Sequence, residues 1–186
     1  MRVISGKLKG RRISRVPSDK TRPTSDKIKE AVFHVMGPYF DGGHALDLFA
    51  GSGALGIEAL SRGVESVTFI DRSPEAVKTI KKNVQALGIA ERSSIYRNDA
   101  LRALSILARK NKKFDLVFID PPYGAIDYSA FLEQIQHLHI VNPGCFIYIE
   151  YPPQAEITYD AEFFEPYFQR VYGKTTATLI LKVNEA

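Results

Sequence analysis

From residue 44 onward, short apolar runs alternate with amphipathic stretches, and this rhythm limits the available folds more than any other feature of the chain. Residues 45–49, 66–71, 94–97, 114–119 and 146–150 read as strands, and 54–62, 74–87, 101–109 and 128–138 read as the helices between them. A repeat of about 22 to 30 residues is that of strand–helix–strand units, which build a parallel sheet with helices on both faces. After Tyr151-Pro152-Pro153 the pattern changes. Residues 163–172 and 176–183 are β-rich and joined at Gly173-Lys174, the expectation for a closing hairpin. With 186 residues, the chain can hold one such domain and a small appendage.

The appendage is expected at the front. Residues 2–5 and 11–16 alternate apolar and polar about Gly6 and Gly10, which predicts a β-hairpin. Thr24-Ser25-Asp26 then starts a helix over 27–36, with Ile28, Ala31, Val32 and Val35 on one face and Gly37-Pro38 as its stop. Residues 1–30 hold ten basic and three acidic side chains, a net +7 within a chain whose total is +4. A basic front end on a mildly acidic body reads as a surface for a polyanion, or otherwise as a solvated arm. Lys7, Lys9, Arg11, Arg12, Arg15 and the Arg22–Thr24 loop are the candidate contacts. The organisation expected is therefore a docking extension at 1–40 and a main domain at 41–186.

Several classes are disfavoured. No apolar run is long enough to span a membrane, and the Met1-Arg2-Val3 start lacks the core of a secretory signal. The single cysteine, Cys145, cannot form an internal disulfide and fits a reducing cytoplasm. His137 and His139 have no cysteine near them in sequence, so no metal site is expected. A monomer is the default.

Asp120-Pro121-Pro122-Tyr123 follows the apolar run ending at Ile119. Proline fixes φ and lacks an N–H, so two of them end the strand in a stiff corner. That corner presents a carboxylate, backbone carbonyls and a phenol ring. The carboxylate and the carbonyl of Pro121 can accept both hydrogens of an exocyclic amine while Tyr123 stacks on the ring that bears it. A plain Pro-Pro turn is the alternative.

In a doubly wound sheet, ligands bind beyond the carboxyl ends of the strands, where further candidates fall. Asp47-Leu48-Phe49-Ala50-Gly51-Ser52-Gly53 closes the first strand, and Gly51-x-Gly53-x-x-Gly56 matches the dinucleotide fingerprint. Asp47 beside that loop disfavours a pyrophosphate and suits a cofactor with an ammonium group. S-adenosylmethionine, leaving S-adenosylhomocysteine as product, fits better than NAD. Asp71, followed by Arg72, ends the second strand and can accept from ribose hydroxyls. Asn98-Asp99-Ala100 ends the third, where Asp99 can accept from the adenine amine. For Asp71 and Asp99 taken singly, a helix N-cap is an equal reading.

With these residues in place, the chain resembles the class I methyltransferases, and more narrowly the RsmD-type 16S rRNA guanine-N2 methyltransferases. The resemblance runs nearly end to end. It is carried by the opening residues 2–11, by Arg22-Pro23-Thr24-Ser25-Asp26 with Glu30 and Phe33, by the Gly51 loop, by Asp120-Pro121-Pro122-Tyr123 and by Tyr172-Gly173-Lys174-Thr175. It implies a Rossmann-like α/β fold of seven mostly parallel strands with one antiparallel, helices on both faces and a small N-terminal extension. It also implies methylation of one guanine at N2 in 16S rRNA, within the small ribosomal subunit or its assembly intermediate. Lys29 and His34 depart from the pattern, on a helix where either can touch RNA. Two other readings stay open from the residues themselves: adenine-N6 methylation of DNA or RNA, and an RNA-binding assembly factor with an idle cofactor pocket.

Overall fold

The computed structural model describes residues 1–17 and 25–185. Seven strands form one sheet: β1 (His44–Asp47), β2 (Ser66–Asp71), β3 (Ser93–Arg97), β4 (Phe114–Ile119), β5 (Val141–Tyr151), β6 (Phe164–Tyr172) and β7 (Thr176–Val183). Their spatial order is β3-β2-β1-β4-β5-β7-β6. The first five are parallel neighbours, and β7 runs antiparallel to both β5 and β6. The sheet is thus the expected one, with β7 as its single reversed strand.

Helices α1 (Asp26–Met36), α2 (Ala54–Ser61), α3 (Pro74–Ala86), α4 (Ala100–Arg109) and α5 (Tyr128–His137) cover it. One core joins the inner faces of α4 and α5 to Leu46, Leu48, Ile70, Val117 and Ile149. The other joins α1, α2 and α3 to Ala45, Phe69, Leu116, Phe118 and Tyr148. Leu46 and Ala45 belong to opposite cores, as alternation along a strand requires. The order of strands reverses between β1 and β4, so the two central carboxyl ends diverge into opposite crossovers and leave a crevice.

Three elements differ from expectation. β5 begins five residues earlier than predicted. Asn142-Pro143-Gly144 resembles a turn, but the chain stays paired with β4 through a register shift between Phe114 and Leu116. The front hairpin is short, with one bridge between Arg2 and Arg12 flanked by bonds from Val3 N–H to the Arg11 carbonyl and from Ile13 N–H to the Met1 carbonyl. The buried face of α1 is Ile28, Lys29, Val32, Phe33 and Met36, rotated from the predicted stripe; Ala31 and Val35 are only half-buried.

Lys29 explains that rotation. It is 1% exposed, with its ammonium 3.5 Å from Glu58, which is fully buried, and donating to the Arg2 carbonyl. Glu58 also takes Arg62 Nε at 2.9 Å and the amides of Ile4 and Ser5 at 3.0 Å. A buried ion left without its partner destabilises a fold by about 3–5 kcal/mol, so this cluster fastens the front segment to α2. Next to it, Gly6 (φ 84°) packs so closely on α2 that a Cβ would lie 1.9 Å from the Ser61 carbonyl oxygen. Glycine alone allows that approach. Lys29 therefore cannot contact RNA, contrary to expectation, whereas His34 is exposed.

Candidate active site

The crevice is a cleft of about 1570 Å³. The ends of β1, β2, β3 and β4 all contribute to it. Phe49, Ala50, Gly51 and Ser52 come from the loop after β1, Asp71 and Arg72 from β2, Asn98, Asp99 and Ala100 after β3, and Asp120 to Tyr123 after β4. Residues distant in sequence are thereby gathered along one edge of the sheet.

The loop after β1 is held from within. Gly51 N–H donates to Asp71 Oδ2 at 2.8 Å, Gly53 N–H to the Ala50 carbonyl, and Gly56 N–H to Asp47 Oδ2 at 3.1 Å. These amides are the donors that a phosphate-binding loop turns toward its ligand. Here the protein's own carboxylates and carbonyls take them, so the loop is a poor cradle for pyrophosphate. Gly51 has φ 57°, and nothing lies within 4 Å of where its Cβ would stand. A side chain there would fill open cleft, so the missing one makes room for a bound group beside the backbone.

Asp47 does not line the cleft. It lies behind the loop, 2% exposed, and burial pushes its carboxyl up to about 7, against the lowering effect of the Gly56 amide. Its effect on a ligand can act only through the loop it supports, which corrects the expectation of direct contact. Asp71 reaches the cleft while accepting from Gly51 and, through Oδ1, from Ser73 N–H at 2.8 Å. Asp99 caps α4 by accepting from Arg102 N–H at 3.1 Å, as the N-cap reading expects, and it also lines the cleft. Phe49 packs on Phe131, with ring centroids 5.8 Å apart, and shares the wall with Leu55.

At the far side, Pro121 is buried and Pro122 exposed, so the corner turns outward from the sheet. Tyr123 is 50% exposed, and its hydroxyl is 2.9 Å from Thr176 Oγ1 at the start of β7. That contact anchors the tip of the ring and leaves much of its surface open. Glu150 also lines the cleft, and the Tyr148 hydroxyl donates to its Oε2 at 2.8 Å. The Tyr128 hydroxyl is buried without a hydrogen-bond partner among the described residues. Burial, then the charges of Asp120 and its neighbours, pushes its pKa up to about 12.

The family model described as conserved hypothetical protein 95 matches residues 1–181. The Bacillus subtilis protein YlbH is 47% identical over 157 residues, covering 84% of this chain and 85% of its own. Ribosomal RNA small subunit methyltransferase D of Buchnera aphidicola is 36% identical over 155 residues, 83% of this chain and 80% of its own. This chain belongs to the RsmD-type methyltransferase family. The solved Escherichia coli protein yhhF superposes with a TM-score of 0.84 at 26% identity, covering 100% of this chain and 99% of that one.

The front segment of this family member also reaches the cleft. Met1, Arg15 and Val16 lie on its rim. Lys7, Lys9, Arg11, Arg12 and Arg15 are all exposed, and Arg11 additionally donates to the Ala86 carbonyl on α3 at 3.0 Å. Arg22 and Thr24 lie outside the described residues. Among the described residues no group of histidine, cysteine and acidic side chains can hold a metal, and no helix is long and apolar enough to cross a membrane. Thr176 and Asn83 had no sequence signal, and Glu150 only its place at the end of the 146–150 run. Asn83 is 3% exposed; its Nδ2 donates to the carbonyls of Ser52 and Ser14, and its Oδ1 accepts from Ser14 N–H. One amide thus joins the front segment to the loop after β1.

Proposed function

We propose that the protein methylates the N2 amine of one guanine in 16S rRNA, using S-adenosylmethionine, in the cytoplasm. The observation that carries this reading is the placement of Asp120-Pro121-Pro122-Tyr123 on the same cleft as the Gly51 loop, Asp71 and Asp99. The relatives' shared name, ribosomal RNA small subunit methyltransferase D, supports the substrate class. Residues 1–40 are read as the docking extension and 41–186 as the catalytic domain, acting as a monomer on the small subunit or its assembly intermediate.

When bound, the cofactor supplies an electrophilic methyl group on a sulfonium. Asp71 would accept from its ribose hydroxyls, Asp99 would accept from its adenine amine, and the open side of Gly51 would leave it room. Phe49, Ala50 and Ser52 shape the wall, with Arg72, Asn98 and Ala100 completing it, whereas Gly53, expected there from the sequence, lies buried against Ile57, Phe69 and Ile80. Asp47 supports the loop from behind.

The guanine amine is a weak nucleophile because its lone pair is delocalised into the ring. Asp120 and the Pro121 carbonyl accept its two hydrogens, turning the nitrogen toward sp³ geometry and directing its lone pair at the methyl. As the N–C bond formed and the sulfonium C–S bond broke, releasing S-adenosylhomocysteine, positive charge would pass from sulfur to nitrogen. Asp120 stabilises that charge and receives the departing proton. Tyr123 stacks on the base, worth about 1–3 kcal/mol at nucleic-acid sites. Orientation supplies much of the rest, since well-placed reactants reach effective molarities of about 10⁵–10⁸ M. An unpaired target avoids most of the few kcal/mol that base flipping costs. Arg11, Arg12 and Arg15 provide salt-sensitive phosphate contacts.

The test is incubation with tritiated S-adenosylmethionine and unmodified small ribosomal subunits, followed by mass spectrometry of the nucleosides, with Asp120→Ala alongside. N2-methylguanosine is expected from the wild type, and a rate about 10²–10⁴-fold lower from the variant. N6-methyladenine would keep the amine chemistry and overturn the guanine assignment. No transfer to subunits, naked RNA or DNA would overturn the enzymatic reading.

A further inference from the structure

The charge of the main domain is unevenly spread. Residues 92–113, which hold β3 and α4, carry seven basic side chains against Asp99 alone. That net +6 leaves −9 for the rest of 31–186. Arg102 and Arg109 line the cleft, with Ser105 and Ile106 between them. Positions spaced three, four and seven apart share one face of a helix, so the two arginines stand on one stripe, about 10 Å apart along its axis. Arg97, at the end of β3, donates from Nε to the Arg72 carbonyl at 3.2 Å, and Lys110 lies over the exposed Tyr96 ring. Arg97, Arg102, Arg109 and Lys110 are exposed, and among the described residues none of them is in an ion pair. Helix stability does not account for the set. Arg109 suits the last turn of α4, but Arg102 sits three residues after the N-cap Asp99, where the helix dipole disfavours a cation.

We propose that this patch is a second RNA-docking surface, which holds phosphates on the side of the target nucleotide away from the front segment. It rests on the RNA-methylation reading above. The front segment is fastened to α3, by Arg11 at the Ala86 carbonyl and by Asn83 at Ser14, on the face of the sheet that packs with α1, α2 and α3. α4 packs on the opposite face. Both reach one cleft, with Arg15 on the first side and Arg102 and Arg109 on the second. A strand laid across the carboxyl edge of the sheet therefore meets cations before and after the point where its base turns in toward the Asp120-Pro121-Pro122-Tyr123 corner. Phosphate contacts fix register and orientation without reading sequence. A target base turns about its own backbone, so a strand held on one side only would swing with it, and a strand held on both sides gives it a fixed pivot. Tyr96, 47% exposed, adds a ring on which a flanking base can stack.

The test compares wild type with Arg102→Gln plus Arg109→Gln, in binding a 16S rRNA transcript across a salt series and in turnover on unmodified small subunits. The log–log salt slope is expected to shrink by about 1.5, as loss of two phosphate contacts requires. KM for subunits is expected to rise severalfold with kcat within about twofold, the mark of lost uniform binding. Arg102→Lys with Arg109→Lys keeps both charges and is expected to retain the wild-type slope. Calorimetric titration with S-adenosylhomocysteine is expected to agree within about twofold for all three proteins. Should the glutamine pair fail to fold, Arg97→Gln with Lys110→Gln probes the same patch away from the cleft lining. An unchanged slope overturns the proposal, and a raised KM beside it would assign the patch to a protein of the subunit. A parallel fall in S-adenosylhomocysteine affinity also overturns it, by giving the arginines to the cofactor. Failure of the RNA-methylation reading would appear in the wild type, as no methyl transfer to subunits and no salt-dependent binding of the transcript.

Discussion

The two halves of the cleft use their carboxylates in opposite ways. On the β1–β3 side, Asp47, Asp71 and Asp99 each accept from backbone amides, at Gly56, at Gly51 and Ser73, and at Arg102. On the β4–β5 side, Glu150 is held by the Tyr148 hydroxyl, and Asp120 stands on a proline corner among Tyr123 and Tyr128. Acids of the first kind shape a loop and meet a ligand as part of a fixed wall. Those of the second kind are placed by strand register and by the proline corner, with a tyrosine hydroxyl donating to Glu150. The acids of the β1–β3 half are therefore tied to the backbone, and the β4–β5 half carries the corner proposed for amine chemistry.

The sharpest way to break this contrast is to truncate one acid from each half. Asp71→Ala leaves two amides without their acceptor, at about 1–3 kcal/mol each. Thermal unfolding is expected to drop by roughly 5–15 °C at the usual scaling for a chain of this size, and affinity for S-adenosylhomocysteine to fall at least about 30-fold. Asp120→Ala, which all but abolishes transfer, is expected to leave the unfolding temperature within about 2 °C. Equal thermal losses would erase the distinction.

A subtler probe is Asp47, whose carboxyl is pushed by burial from the ordinary 3.8 up to about 7. A raised acid keeps its proton longer in the folded state than in the unfolded state. Its stabilisation is complete below the unfolded value and is lost as pH climbs toward the folded one. Wild-type protein should therefore lose stability between about pH 4 and 7 relative to Asp47→Asn, by at most roughly 1.4 kcal/mol per pH unit. Denaturant midpoints measured across that range check the slope; parallel curves would mean that the Asp47 carboxyl titrates alike in folded and unfolded chains. The smallest expected effect lies outside the cleft. Arg11→Gln with Arg12→Gln should flatten the salt dependence of RNA binding by about 1.5 in log–log slope, as loss of two phosphate contacts requires. Cofactor affinity should stay within about twofold. Equal cofactor loss would make the front segment structural rather than a docking surface.

The contrast also governs what could be read in advance. Asp71, Asp99 and Asp120 were legible because each ends an apolar run, and a strand end in a parallel sheet has a fixed destination. Glu150 ends such a run too, but its place in the cleft depends on β5 lying beside β4 with Ile149 opposite Ile119, a register fixed only in three dimensions. Asn83 sits mid-helix with no motif around it, and its partners are 31 and 69 residues away. Lys29 misled for a related reason. A lysine on an amphipathic helix is normally solvated, and only the buried Glu58 on another helix reverses that. β5 began early because pairing with β4 overrode the turn chemistry of Pro143-Gly144.

Asn83 has a consequence for transplanting parts between relatives. Its side chain donates to the carbonyls of Ser14 and Ser52 and accepts from Ser14 N–H, so one residue of α3 holds both the front segment and the loop after β1. A chimera that exchanges the front segment alone keeps its charges but needs a matching amide at position 83. Exchange of α3 alone puts the loop's support at the same risk. The unit that can be swapped without loss is the segment, the loop and α3 together.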